Sequence, residues 1–443
     1  MEGKTGLSSS PARGPGYKAV AAVVLGNALE FYDFTIYAFF AVQIGKAFFP
    51  SQNPTDSLLA SLALFGIGYV MRPLGGMVIG AYADRAGRKP AMLVTIALMA
   101  AGMLMLAAVP GYAVLGVWAQ AIVIAGRLIQ GFALGGEVGP STAYLLEAAP
   151  PARRGLITSW QIASQGCAAL FSGLLATALG FALGAQAMEE WGWRLMFLIG
   201  VAVVPVGLVI RNHLPETHEL GEEHVLHARS SRAALAHLLR AHGKMLALMF
   251  LVIAASTVSN SIGTNMPVYA RATLGLAGAV SAAVPIALGL ASVLFPLAGG
   301  WLADRFGRRP VLIWPRAAIM LLAIPAFYFL ARHPTPAAVY GVTFLMSALS
   351  SVNAAAIIVG IPESLPAPVR SAGLAIVYAL SVSIFGGSTN YIVNWLIAET
   401  GDRMMPAYYL AAFSVVGTIA ACLIPETRGR SLAVGTVKSS SFS

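Results

Sequence analysis

The chain has 443 residues, of which 58% are hydrophobic and 10% charged, with two cysteines and a formal net charge of +10. A soluble globular protein would need about a quarter of its residues charged, so the polar surface for water solubility is missing. Two cysteines exclude a disulfide scaffold or a thiolate cluster.

Apolar runs of about 20 residues, enough to cross a hydrocarbon core, recur twelve times, at 19–45, 57–81, 91–109, 113–145, 156–184, 193–211, 244–270, 279–302, 311–331, 335–358, 371–397 and 404–425. The expected fold is an all-α membrane protein of twelve transmembrane helices in two pseudo-symmetric six-helix bundles. Residues 1–18 form a polar tail and 19–211 the first bundle. Residues 212–243 form a linker, 244–425 the second bundle and 426–443 a C-terminal tail. The first run is too long for a signal-peptide core and lacks a small-residue cleavage site, so it is expected to remain as a helix. Cys167 and Cys422 fall in apolar segments and read as buried small side chains.

Basic residues crowd the tails, the linker and alternate loops, which places both termini and the linker in the cytoplasm by the positive-inside rule. The excess charge then faces anionic lipid and calls for no nucleic acid. Among the outer connections stand Lys46, Arg194, Arg271, Arg332 and Arg403, while Arg72, Arg127 and Arg316 lie inside helices. Six of the seven histidines lie in the linker, which reads as a solvated amphipathic helix, so no mid-membrane histidine relay is available.

Two nearly superimposable turns organise the halves: Gly80 to Pro90 reads GAYADRAGRKP and Gly300 to Pro310 reads GWLADRFGRRP. Pro215-Glu216-Thr217 recurs as Pro425-Glu426-Thr427, and Glu147 with Arg154 recurs as Glu363 with Arg370. A gate is expected here: Asp84 near Arg154, Asp304 near Arg370, and Arg85, Arg88, Arg305 and Arg308 meeting carboxylates or lipid phosphates. Such pairs would form and break as one side closes and opens. Gly80, Gly87, Gly300 and Gly307 would permit close approach and a tight reversal.

Charges inside helices are costly, about 2.5–3.5 kcal/mol each on insertion scales. Glu30 and Asp33 share one face of the first helix, Arg127 lies mid-way along the fourth with Glu137 further inward, and Arg72 sits centrally in the second, within reach of either acid. Two readings fit: an internal salt-bridge network, or substrate binding and ion coupling. Under the second, Asp33 and Glu30 carry a proton with Glu137 and Arg72 tuning them, and Arg127 holds a substrate carboxylate. Gln161 and Gln165, one turn apart, with Asn27 and Tyr37, supply neutral contacts. In the second half the repeat register sets Ser292 opposite Arg72, Thr343 opposite Arg127 and Asn353 opposite Glu137. Neutral groups, Asn260, Asn265, Tyr269, Asn353, Tyr378, Asn390 and Tyr391, are expected to line that side.

The duplicated turns, Arg72-Pro73 and the two Pro-Glu-Thr segments resemble the major facilitator superfamily. Three further segments resemble its metabolite/proton symporter branch: Gly26 to Phe34, reading GNALEFYDF; Gly126 to Phe132 with Gly135-Gly136-Glu137; and Glu190-Trp191-Gly192-Trp193-Arg194. That branch carries citrate, tricarballylate, α-ketoglutarate, shikimate, proline and betaine. Thr158 to Gln165 and Gly111-Tyr112 most resemble the citrate and tricarballylate carriers, from which Gly166 departs, since those carriers keep a polar amide there. The resemblance implies a proton-coupled symporter, with sodium as an alternative coupling ion.

No nucleotide-binding loop, metal-ligand cluster or nucleophilic triad is present in the sequence, so no enzyme, cofactor, catalytic residue or metal site is expected. The expected function is uptake of a small organic anion such as citrate, tricarballylate or a dicarboxylate across a bacterial inner membrane, by a monomer and by alternating access. The alternatives are a zwitterion such as betaine or proline, its cation drawn to Glu30 or Asp33 among Phe31, Tyr32 and Phe34, or an uncoupled facilitator or exporter.

Overall fold

The computed structural model describes residues 17–86, 88–135, 145, 149–212, 232–365 and 367–429, all helix, turn or short connection. The side chains of Glu30, Asp84, Arg85, Arg88, Glu137, Glu147 and Arg370, together with Gly87 and linker residues 213–231, lie outside the described residues. Nine helical segments among the described residues are long and apolar enough to cross a membrane, with Leu93–Ala108 a shorter apolar helix. The remaining expected spans are helical too, within α1 (Tyr17–Phe39) with α2 (Ala41–Phe48), and in α8 (Trp193–Asn212).

The other elements are α3 (Pro54–Val70), α4 (Arg72–Ala86), α5 (Arg88–Ala108), α6 (Val117–Leu134), α7 (Arg154–Leu183), α9 (Arg232–Val268), α10 (Gly278–Phe306), α11 (Arg308–Arg332), α12 (Pro336–Glu363), α13 (Ala367–Ser381), α14 (Gly387–Thr400) and α15 (Met405–Leu423). Asn53 caps α3 by accepting the Thr55 N–H, with Pro54 in the first turn, and Thr335 and Pro336 do the same for α12. The span expected at 57–81 breaks at Met71 because Pro73 has no N–H for the Tyr69 carbonyl. The span expected at 371–397 is likewise divided, by a π-helical stretch at Val382–Gly386. Helix α9 starts at Arg232 and runs without interruption through the expected linker boundary at residue 243.

The two halves meet chiefly along α7 and α10, with further packing of α3 on α14, α12 on α7 and α1 on α9. Helices come this close only without a Cβ in the way: a side chain at Gly155 would overlap Gly300, and one at Gly166 would overlap the Ser292 backbone. The amide missing from position 166 is thus explained by helix contact. Gly307, at φ +104°, makes the reversal between α10 and α11; Gly80 has open space around it, so no close approach depends on it. Cys167 is half-buried, but Cys422 is exposed on α15, contrary to expectation, because it lies on the outward face of the last helix.

Candidate functional site

Asp33 of α1 and Arg127 of α6 are brought together with their side chains fully buried. Arg127 Nη1 donates to Asp33 Oδ2 at 3.2 Å and to Gln130 Oε1 at 2.7 Å, and Gln130 Nε2 donates to Asp33 Oδ1 at 2.9 Å. Arg127 and Gln130 stand three residues apart on one helix, so both reach the same carboxylate. Around the guanidinium lie the rings of Tyr37 at 4.3 Å, Phe34 at 4.6 Å and Phe65 at 5.6 Å. Its Nε and Nη2 are buried with no hydrogen-bond partner among the described residues. In this conformation Arg127 therefore serves Asp33, and the expected contact with substrate would require the pair to part.

Arg72 is not paired with Asp33, and the side chain of Glu30, the other acid expected beside it, lies outside the described residues. The break at Met71 turns Arg72 onto the rings of Tyr69, at 4.0 Å, and Phe34, at 4.5 Å, so among the described residues its partners are aromatic faces rather than an acid. The expected neutral contacts are paired internally. Asn27 Nδ2 donates to the Gln161 carbonyl at 3.1 Å and to Ser164 Oγ at 2.6 Å, and Gln161 Nε2 returns a bond to Asn27 Oδ1 at 3.0 Å. Tyr37 donates its hydroxyl to the Ser61 carbonyl at 3.1 Å, and Gln165 is half-buried on α7.

The second half is not the charge-free wall that the repeat register suggested. Arg316 of α11 is 1% exposed and points inward. Its Nη1 donates to the Ala255 carbonyl at 3.0 Å and to Ser259 Oγ at 2.5 Å, and its Nη2 donates to Asn353 Oδ1 at 2.6 Å. Asn353 is thus committed to Arg316 and, through Nδ2, to the Leu312 carbonyl at 2.6 Å. Asn394 Nδ2 donates to Asn265 Oδ1 and to the Asn390 carbonyl, and Asn390 Oδ1 is buried without a partner among the described residues. Tyr391 packs with Ala41, Leu58, Leu62 and Val268, against the first half. Asn260 is exposed, and Tyr269 donates its hydroxyl to the Arg403 carbonyl at 2.8 Å, a packing role.

At the end bearing the charged turns, Asp304 crosses between the halves. It accepts the N–H groups of Gly155 at 2.8 Å and Leu156 at 3.0 Å, at the positive end of α7, and lies 3.2 Å from Arg308. Glu363 takes a forked pair from Arg308, Nε at 2.9 Å and Nη2 at 3.1 Å, and accepts the Thr427 hydroxyl at 3.0 Å. Arg308, the first residue of α11, thus meets both acids. Arg154 stands near Glu363 and Asp304. Arg305 lies over Trp301 and Phe306, with no carboxylate beside it among the described residues. Glu426 accepts the N–H groups of Arg308 and Arg309, capping α11. Burial pushes its carboxyl up, but bonds from the Arg308, Arg428, Arg309 and Thr427 N–H groups outweigh that and hold it below the usual range.

At the far end Glu189, in the π-helical turn after α7, pairs with Arg271 of the second half and stands 3.6 Å from Lys46. Burial raises its carboxyl, but the two cations outweigh this and set it below the usual carboxylate range.

A family model for the major facilitator superfamily matches residues 23–381. The chain belongs to the major facilitator superfamily. A citrate-proton symporter from Klebsiella pneumoniae is 36% identical over 410 residues, spanning 92% of this chain and 91% of that protein. A proline/betaine transporter from Salmonella typhimurium is 30% identical over 428 residues, spanning 94% and 84%. The solved xylose transporter XylE from E. coli, in a partially occluded inward open conformation, superimposes with a TM-score of 0.71 at 17% identity, covering 94% of this chain and 99% of that one, a likeness of fold alone. The chain is accordingly a multi-pass membrane transporter of the metabolite/proton symporter branch, resembling citrate-proton symporters, and not an enzyme.

Several residues that organise this facilitator escaped the sequence reading. Gln130 stood inside the Gly126 to Phe132 segment, and its spacing from Arg127 was the available signal. The repetition of Pro-Glu-Thr marked Glu426 without revealing the helix end it caps. Lys46, Glu189 and Arg271 are far apart in sequence and carried no signal of their pairing.

Proposed function

We propose that this facilitator is a proton-coupled importer of a small organic anion, citrate or a related di- or tricarboxylate, in a bacterial inner membrane. Twelve helices in two six-helix bundles, with both termini and the linker cytoplasmic, would alternate access to a site between them. The single observation that carries the reading is the sealed Asp33, Arg127 and Gln130 triad, in a chain whose relatives include citrate-proton symporters. An ionised Asp33 occupies Arg127. Protonation removes that charge and releases the guanidinium to a substrate carboxylate, so proton and anion enter together. Glu30 and Glu137 are assigned as auxiliary acids, and Arg72 as a neighbouring cation. Asp84, Arg85, Arg88, Glu147, Arg154, Asp304, Arg305, Arg308, Glu363 and Arg370 are assigned to gating. Zwitterion uptake is the second reading, supported by the proline/betaine transporters among the relatives and by the ring cluster of Phe34, Tyr37, Phe65 and Tyr69.

The test is uptake into proteoliposomes with the outside made acidic. Citrate should accumulate against its gradient, and Asp33→Asn should abolish accumulation while citrate exchange continues. Uptake that persists unchanged after collapse of both proton and sodium gradients would sink the coupling. Accumulation of betaine or proline without citrate would select the second reading.

A further inference from the structure

The second half buries a guanidinium that the mechanism above does not use. Every acid of that half is accounted for: Asp304 and Glu363 meet Arg308, Glu426 caps α11, Asp402 accepts the Met404 N–H and Glu399 is exposed. Arg316 is held by a backbone carbonyl, a serine hydroxyl and an asparagine, all neutral, and no carboxylate among the described residues pairs with it. A positive charge at membrane depth without a counter-charge is among the least favourable arrangements available to a helix.

Beside it is a small cavity between α9, α11, α12 and α15, lined in part by Ser259, Gly263, Ile319, Thr343, Ser347 and Leu410. Ser259 joins the two, accepting from Arg316 and facing the cavity. Thr343 is 1% exposed, and its hydroxyl, buried on the cavity wall, has no partner among the described residues. A buried hydroxyl left unsatisfied is destabilising, so the wall is built for a polar visitor. The recess has room for about one water molecule, so a carboxylate would enter it only as the surrounding helices part. Gly417 lets α15 lie close to α9, since a Cβ there would stand 2.5 Å from Ala255 Cβ, with Arg316 Cδ in ordinary contact at 3.6 Å.

We infer that Arg316, Ser259 and Thr343 form a carboxylate-binding site in the second half, which anchors one carboxylate of the transported solute. The site rests on the reading of the chain as a carboxylate transporter. It gives a permanent cation to the substrate, whereas Arg127 becomes free only when Asp33 is protonated. The forked guanidinium matches a carboxylate edge, and the threonine hydroxyl supplies a further donor.

Citrate and betaine binding to the full chain in nanodiscs tests this by titration calorimetry, with proton-driven uptake measured in parallel. Arg316→Lys should weaken binding of whichever probe the wild type takes by about tenfold, since the ammonium lacks the fork. Thr343→Val keeps the side-chain shape and breaks no hydrogen bond among the described residues. It should lower affinity several-fold while the ligand-free melting temperature stays at or above the wild-type value. Affinity within about twofold of wild type in either variant overturns the site. Wild-type uptake that is indifferent to ion gradients, with binding still lost in both variants, overturns the coupling reading and retains the site. A wild type that binds neither probe overturns both.

Discussion

Two buried arginines, one in each half, are treated in opposite ways. Arg127 is matched by Asp33 and Gln130 and covered by three rings; Arg316 is given only neutral acceptors. The repeat register sets Thr343 where Arg127 would be, and Thr343 does line the interior of the second half, but the guanidinium arrives from the neighbouring helix α11. Duplication has conserved an inward-facing polar position while moving the cation. The difference teaches that a buried charge already compensated suits a switch, because a proton can undo it, whereas an uncompensated one suits a ligand that brings the missing charge.

The largest expected effect puts that contrast to a stability measurement. Arg127→Met leaves Asp33 buried and unpaired, which should cost about 3–5 kcal/mol or force Asp33 to stay protonated. Arg316→Met takes the donor from three acceptors but removes an uncompensated charge, and the opposing terms should leave it within about 1 kcal/mol of wild type. Thermal unfolding of both variants in the same detergent at neutral pH measures the difference. Equal losses would erase the distinction between the two arginines.

The next effect concerns the seam between halves. Gly166→Gln restores the amide kept by the citrate and tricarballylate carriers that this sequence resembles, but its Cβ would meet the Ser292 backbone. Overpacking of this kind costs about 1–3 kcal/mol, and because the contact crosses the halves the loss should appear in turnover as well as in melting temperature. A variant with unchanged exchange kinetics would show that α7 and α10 separate freely at this depth.

Asp304→Asn tests the turn end. The amide keeps a single acceptor oxygen, so it can serve one of the Gly155 and Leu156 N–H groups while its NH2 faces the other, and it loses the negative charge at the α7 N-terminus and beside Arg308. A loss of about 1–2 kcal/mol in the closed arrangement is expected, with citrate affinity retained and turnover altered. Lost affinity with normal exchange would remove Asp304 from the gate.

Much of this was legible in the sequence because bilayer physics writes plainly. Long apolar runs marked the helices, and the rarity of intramembrane charge singled out Asp33, Arg127, Arg72 and Arg316. Spacing along one helix reveals neighbours on that helix, such as Glu30 with Asp33. It does not reveal which helix stands opposite, and that is why the bonds from Asp304 to the N-terminus of α7 were not foreseen. Arg316 was noticed and left without a role because the repeat register compares equivalent helices, while its partners come from α9 and α12. The break at Met71 was foreshadowed by Pro73, but its effect on Arg72 depends on the rings of Phe34 and Tyr69, which only the packing brings near.

The smallest effect lies at the far end, where Glu189 meets Arg271 across the halves and Lys46 stands on its other side. An ion pair this accessible contributes about 0–1 kcal/mol, so Glu189→Gln should leave melting unchanged and speed opening of that end only a few-fold, read by labelling a cysteine placed in the seam. The folded-state carboxyl is held below its ordinary value, so its contribution is complete above that value and fades as pH falls through the lowered one. Since an unperturbed glutamate titrates near about 4.3, opening in the wild type should be flat across neutral pH and rise only in stronger acid, and the Gln variant should lose that rise. The contrast with Asp33 then becomes chemical as well as positional: an acid reserved for coupling must change its proton between the two sides of a membrane, and Glu189, held ionised by two cations, is built not to. A far-end opening rate that tracked pH between about 5 and 7.5 in the wild type and not in Glu189→Gln would move the proton-sensing acid from the buried triad to this surface pair.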